Sequence, residues 1–170
     1  GATYRSALSS GQVMSSGGIA EVVESNHKHF SVGQIVSGDL GWQEYAVLPG
    51  NQLALVKNHD GPLSHSLSLL GVAGLTAYHG LINVPNIHAG EVLLVSAAGG
   101  SVGSIAGQIG RIKGAKVIGV AGGTEKCKWV VDKLGFDDCL DYKDTSAPLR
   151  HQLAEAAPDG VDVYFDNTGG

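Results

Sequence analysis

Cysteine is almost absent: Cys127 and Cys139 are the only two in 170 residues. They are too few and too far apart for a paired-cysteine zinc site, so no metal is expected. They fall on an expected helix and an expected buried strand, which favours free thiols in a reduced, cytoplasmic setting over a disulfide. No leader with a charged start and an apolar middle precedes them, and no apolar run approaches the length of a membrane span. No membrane partner is therefore expected. A large excess of one charge is lacking too. The net charge of -5 argues against a general nucleic-acid or anionic-membrane surface, while leaving room for a local basic pocket around a phosphate. No Gly-Lys-Ser or Gly-Lys-Thr follows any glycine cluster, which excludes a P-loop. An initiator Met is also missing, and residues 1–17, rich in Ser, Gly and Ala without a clean period, are expected to be a loop entered from elsewhere in a domain.

What is present is an ordinary globular composition, 43% apolar and 16% charged, enough to bury a core over one domain or one and a half. The 26 glycines occupy turn-like positions without a repeat period, which suits a mixed α/β protein.

The most informative stretch runs from Glu91 to Gly110. Val92 to Val95 is a short unbroken apolar run of the kind found in parallel strands covered on both faces. Val102, Ile105, Ala106 and Ile109 recur at helical spacing and give one apolar stripe. Between them Ala98-x-Gly100-x-x-Gly103 is a dinucleotide fingerprint with alanine in the first glycine's place. Gly100 lets the backbone approach a phosphate, Gly103 lets the helix pack on the strand, and the helix N-terminus at Ser101 and Val102 offers free N–H groups and a positive dipole end. The bland alternative is a tight strand-to-helix turn that simply needs small residues. A second strand at Lys116 to Ala121, where a strand-helix-strand unit requires one, favours the nucleotide reading.

Upstream, Ile19 to Val23, Ile35 to Ser37, Trp42 to Leu48 and Leu53 to Val56 read as strands of a small irregular β domain. The aromatics of Gly41-Trp-Gln-Glu-Tyr-Ala-Val47 fit a cleft lining or a core filling, and the core is preferred. His27-Lys28-His29 has no nearby third ligand, so a solvated turn is preferred to a zinc site. Ser64 is expected to cap a helix through Leu67, Leu69 and Leu70, and a second helix is expected over Leu75 to Ile82, stopped by Val84-Pro85. Thr76 and Tyr78 could face a cofactor there, or serve as a cap and a packed aromatic.

Downstream, Thr124 is expected to cap a helix with Val130 and Leu134 on its apolar stripe. An NAD-preferring site commonly ends its second strand with a carboxylate for the adenine-ribose hydroxyls, whereas here that end is Ala121-Gly122-Gly123, followed by Lys126 and Lys128. Room and positive charge favour NADPH over NADH. Lys128 reads as an ordinary wet helix position, and Glu125 could approach a ribose hydroxyl. Cys139 to Tyr142 is a third strand, Pro148 to Ala157 a third helix and Val161 to Phe165 a fourth strand. This order implies parallel pairing through right-handed crossovers, with Asp166-Asn-Thr-Gly-Gly170 at the ligand-bearing edge.

These residues resemble the zinc-independent medium-chain dehydrogenase/reductase superfamily, in its alkenal and prostaglandin reductase branch. The carriers are Gly41-Trp-Gln-Glu-Tyr45, Gly74-Leu-Thr-Ala-Tyr78, Ala97 to Ser104, Gly107-Gln-Ile109, Glu125-Lys126, Leu134-Gly-Phe-Asp137, Asp141-Tyr-Lys143 and Pro158-Asp-Gly160 through Phe165-Asp-Asn167. The resemblance implies part of a GroES-like β domain over residues 1–62 and connecting helices over 63–89. Residues 90–170 would then be the N-terminal half of a Rossmann NADP-binding domain with a doubly wound parallel sheet. It further implies NADPH-dependent reduction of a carbon-carbon double bond conjugated to a carbonyl. A quinone reductase of the same superfamily and a non-catalytic NADPH-binding module are the alternatives.

By position, the resemblance places Ala98, Gly100, Ser101, Val102 and Gly103 at the pyrophosphate. Lys126 and Tyr142 fall at the 2'-phosphate, Asn167 further along the sheet edge and Thr76 near the nicotinamide. It implies a small enal, enone or quinone substrate and a homodimer. Family chains are about twice as long, so the first β strands of the catalytic domain and the later half of the sheet are expected outside this sequence. The tyrosine that the resemblance implies as proton donor or enolate stabiliser is expected there too; Tyr45 and Tyr78 are poor substitutes, and no catalytic residue is assigned.

Overall fold

In the computed structural model residues 8–57 and 60–169 are described. The loop expected over residues 1–17 lies partly outside them, as does Gly170. The chain divides into two compact units, Gly1–Leu67 and Ser68–Gly170.

The first unit is a three-stranded antiparallel sheet, β1 (Gly17–Glu21), β2 (Ile35–Asp39) and β3 (Ala54–Leu55), in the order β1-β2-β3. Ile19 faces Ser37 and Val36 faces Leu55 across the ladders. Its core is slight, with Val36 the one fully buried apolar side chain among the described residues of this unit. The strand expected over Trp42 to Leu48 is not formed. Trp42 N–H turns back to the Met14 carbonyl and Gln43 N–H to that of Gly41, and residues 44–48 pair with no strand among the described residues. The aromatics do not fill a core either: Trp42 is 73% and Tyr45 76% exposed. Tyr45 instead lines an open concavity of about 710 Å³ with Val22, Val36, Leu48 and Leu53. The His27 ring lies tilted against those of His29 and Phe30, with ring centroids 5.6 and 5.3 Å away.

The helix expected from Ser64 is a single 3-10 turn, Leu63–Ser66, entered from Pro62. Successive short-range bonds, Leu67 N–H to the Ser64 carbonyl and Gly71 N–H to that of Ser68, replace an α-helical ladder.

The second unit begins with α1 (Val72–Tyr78), which passes into a π-helical turn over His79–Asn83. This helix starts earlier than the expected Leu75, with Gly71 at its N-cap and Gly74 inside it. A side chain at Gly74 would collide with the Leu69 carbonyl, so glycine lets the preceding turn fold onto the helix.

There follow β4 (Val92–Val95), α2 (Ser101–Ile112), β5 (Lys116–Ala121), α3 (Thr124–Leu134), β6 (Asp138–Asp141), α4 (Leu149–Ala156) and β7 (Val163–Phe165). The four strands pair in parallel in the order β6-β5-β4-β7, so the chain steps outward from β4 in one direction and then returns to its other side. That reversal is a topological switch point, and it sits at the carboxyl end of β4.

Alternate residues of β4 serve opposite faces. Leu93 and Val95 join Leu81, Ile87, Ala106, Val117, Val130 and Phe136 in the larger core. Val92 and Leu94 pack on the other side with Ile118, Leu140, Leu153 and Ala157. Helices thus cover both faces, the arrangement that an unbroken apolar strand requires. On α2 the fully buried positions are Gly103, Ala106, Gly107 and Gly110, while Val102, Ile105 and Ile109 of the expected stripe are only partly buried. Glycine brings this helix close: a side chain at Gly107 would enter the Phe136 ring, and one at Gly110 would approach Leu93. Thr124 does not cap α3. Gly123 holds that place at φ 100°, and its carbonyl accepts from Lys126 and Cys127 N–H.

Candidate nucleotide-binding site

Residues 96–100 carry the chain from β4 into α2 in a tight turn. Ala97 takes φ 47°, a left-handed conformation uncommon for a residue with a side chain. Its carbonyl accepts Gly100 N–H at 2.8 Å and lies so near α2 that a side chain at Gly103 would collide with it. Ala98 is fully buried, its N–H donating to the Val120 carbonyl. The turn is thereby fastened to β5, while Gly100 and Ser101 stay exposed at its crest. Ser101 and Val102 open the helix, where backbone N–H groups have no preceding carbonyl to bond, an arrangement suited to an anion.

Two further candidates lie on this turn and on the neighbouring β5–α3 turn, respectively. The aliphatic stem of Lys126 lies over Gly99, where an added Cβ would stand 3.1 Å from its Cδ. The ring of Tyr142 lies over Gly122, within 2.6 Å of where a Cβ would be. The β5–α3 turn beneath is held by Asp141, whose Oδ1 accepts Gly123 N–H at 2.7 Å and Lys143 N–H at 2.9 Å. Gln152 clamps Asp141 in turn, accepting from its N–H and donating to its carbonyl. Lys128 is exposed on α3, as is Glu125 in its first turn.

Asn167 follows β7 at the same sheet edge. Its backbone N–H donates to Ser96 Oγ at 2.7 Å, and its Nδ2 donates to the Ser96 carbonyl at 2.9 Å. Ser96 Oγ donates in turn to Asp166 Oδ1 at 2.8 Å. Asp166 also accepts from the N–H and hydroxyl of Thr168, from Gly169 N–H and from the Tyr164 hydroxyl. The Thr168 N–H and then the Ser96 hydroxyl hold its carboxyl well below the usual carboxylate range.

Thr76 stands apart from this cluster in its bonding. It lies within α1, and its hydroxyl donates to the Val72 carbonyl at 2.7 Å, so it is not a helix cap. Tyr78 is 54% exposed. Cys127 is buried and Cys139 half-buried, both as free thiols. Burial, with the neighbouring Cys127 adding to it, pushes the Cys139 thiol far up, away from a nucleophilic thiolate.

A glycine turn opening a helix, a basic side chain laid across it and a strand end without a carboxylate together fit a phosphorylated dinucleotide. Residues 2–56 match a family described as the N-terminal domain of oxidoreductase, and residues 101–170 match the zinc-binding dehydrogenase family. The chain is 44% identical over 168 residues to the NADPH-dependent curcumin reductase of Escherichia coli, covering 99% of this chain and 48% of that protein. It is 46% identical to prostaglandin reductase 1 of Bos taurus, over 96% of this chain and 50% of that one. The crystal structure of CurA from Vibrio vulnificus, solved in complex with NADPH, superposes with a TM-score of 0.87 at 42% identity, over 99% of this chain and 50% of that one.

The chain belongs to the medium-chain dehydrogenase/reductase superfamily, in its alkenal and prostaglandin reductase branch. It spans about half the length of the curated relatives it matches. Within this superfamily member no group of three or more His, Cys, Asp or Glu side chains among the described residues is placed to hold a metal ion. Likewise, no helix among the described residues is long and apolar enough to cross a membrane.

Sequence reasoning placed Asp166 at the ligand-bearing edge but overlooked Ser96 and the bond between the two, which connects the turn to the β7 edge. The available signal was a serine placed directly after the apolar run Val92 to Val95, with Asp-Asn at the corresponding end of β7.

Proposed function

We infer that this chain carries the adenosine and pyrophosphate portion of the NADPH site in a metal-independent reductase of carbon-carbon double bonds conjugated to a carbonyl. The observation that carries the reading is the Lys126 stem lying across Gly99, with Tyr142 over a strand whose own end, Ala121-Gly122-Gly123, carries no carboxylate. On this reading Ser101, Val102 and Gly103 receive the pyrophosphate on backbone N–H groups at the start of α2, Gly100 leaves room for its approach, and Ala98 fixes the turn beneath. The Lys126 ammonium and the Tyr142 hydroxyl take the 2'-phosphate, which NADH lacks. Asn167 contacts the cofactor further along the sheet edge, and Thr76 is assigned near the nicotinamide.

When bound, NADPH supplies a hydride to the β-carbon of an enal or enone. Protonation of the α-carbon belongs to a donor not assigned among these residues. The names of the relatives support this substrate class, since one reduces curcumin and another is a prostaglandin reductase. We read residues 1–62 as part of a GroES-like domain, 63–89 as the connection and 90–170 as the first half of a Rossmann domain. A cytoplasmic homodimer completes the proposal.

A fluorescence titration with NADPH and NADH tests it directly. NADPH is expected to bind the more tightly, and Lys126→Ala to weaken it about tenfold or more while changing NADH affinity by less than about twofold, the loss of one charge-assisted contact. Equal losses for both nucleotides would remove the 2'-phosphate assignment. Turnover of a medium-chain enone in preference to a quinone by a complete chain carrying these residues checks the substrate class, and binding without turnover of either by that complete chain would favour a binding module.

A further inference from the structure

Ser96 is the one buried polar side chain among the described residues, 5% exposed, and it stands directly before the glycine turn. A serine hydroxyl can donate once and accept twice. Here it donates to Asp166 and accepts Asn167 N–H, while the Ser96 carbonyl takes the Asn167 side-chain amide. Residues 70 and 71 positions apart are thus joined across the carboxyl ends of β4 and β7, at the switch point. Asp166 then gathers four more donors from Tyr164, Thr168 and Gly169, closing the segment after β7 upon itself. With Nδ2 engaged by the Ser96 carbonyl, Asn167 has its amide orientation set. Its Oδ1 accepts no bond among the described residues and is left as an acceptor at the sheet edge.

We propose that Ser96 and Asp166 are positioning residues that hold Asn167 with its side-chain oxygen presented to a ribose hydroxyl of NADPH, on the nicotinamide side of the pyrophosphate. This rests on the reading of Asn167 as a cofactor contact. An ionised carboxylate suits the role better than an amide, because every group that Asp166 meets donates a proton and a carboxylate only accepts.

The test compares two ligands on the full chain: NADPH, and adenosine 2',5'-bisphosphate, which fills only the adenosine end beside Lys126 and Tyr142. Ser96→Ala and Asp166→Ala are expected to weaken NADPH about tenfold while leaving the bisphosphate within about twofold, the size of a lost hydrogen bond to a charged group. Parallel loss of both ligands would show a merely structural role and overturn the proposal. Asp166 is exposed, so its variant supplies the result if Ser96→Ala does not fold. Asn167→Ala separates the two layers of the argument. Weakened NADPH binding there, with none in the Ser96 and Asp166 variants, overturns the positioning role alone. Unchanged NADPH binding overturns the assignment of Asn167 and the proposal with it.

Discussion

At the scale of single residues, aspartates organise the ends of strands. Asp162 accepts Val92 N–H at 2.8 Å and Asp137 accepts Val117 N–H at 2.7 Å, both where parallel strands begin. Asp137 also meets Arg111 at 2.8 Å. Asp141 and Asp166 do the corresponding work where strands finish. A carboxylate suits these places because strand ends leave N–H groups that no ladder satisfies. For Asp166 the consequence has a definite sign. Its native carboxyl is depressed below the ordinary value of 3.8, so its stabilisation is complete above that value and lost as the pH falls below it toward the native one. Urea unfolding of wild type and Asp166→Asn from pH 7 downward is expected to show a constant gap that narrows below about pH 4. A gap that widened in acid would contradict the geometry around this carboxylate.

At the scale of elements, the seating of α2 decides how the site is built. Its buried face is made of Gly103, Ala106, Gly107 and Gly110, and the Phe136 ring occupies the space above Gly107. Gly107→Ala is therefore expected to destabilise by about 1–3 kcal/mol through overpacking, although alanine is the better helix former. Phe136→Leu made together with it should recover part of that loss, a coupling that a double-mutant cycle in urea would measure. Additive losses would show that the ring does not set the helix height. This close seating was only half legible in the sequence. The fingerprint gave Gly103 its role, but the apolar stripe drew attention to Val102, Ile105 and Ile109, whose larger side chains flank the contact. Periodicity marks which face is apolar; it does not reveal that a phenylalanine 29 positions away needs the room.

At the scale of the molecule, the two units differ in how much they bury. Leu81, Ile87, Leu93, Val95, Val117, Ile118 and Val130 are all buried in the second, whereas Val36 stands alone among the described residues of the first. Each full burial of such a side chain stabilises by roughly 1.5–3 kcal/mol. Limited proteolysis is accordingly expected to cut within residues 8–57 first and to leave a longer-lived fragment beginning near Ser68. Preferential cleavage between β4 and β7 would reverse that order.

The same contrast explains what could be read in advance. Four parallel strands were legible because apolar runs and intervening helices leave few topologies. In the first unit the moderate alternation of Trp42 to Leu48 suggested a strand, but a strand needs a partner, and pairing is not encoded locally. The Ser96 network was illegible for a related reason. Its two sides lie 70 residues apart and meet only after the fourth strand returns beside the first.

The lysine stem lying across Gly99 also bears on how such a site could drift over generations. Any side chain at Gly99 would press on Lys126, and any shorter residue at 126 would uncover the turn. On the proposed reading, a lineage exchanging one nucleotide for the other therefore has two linked positions to alter, the lysine and the turn. Loss of the lysine alone loosens NADPH without improving the grip on NADH, and a side chain at Gly99 moves the lysine stem aside, so nucleotide preference is tied to the shape of the loop.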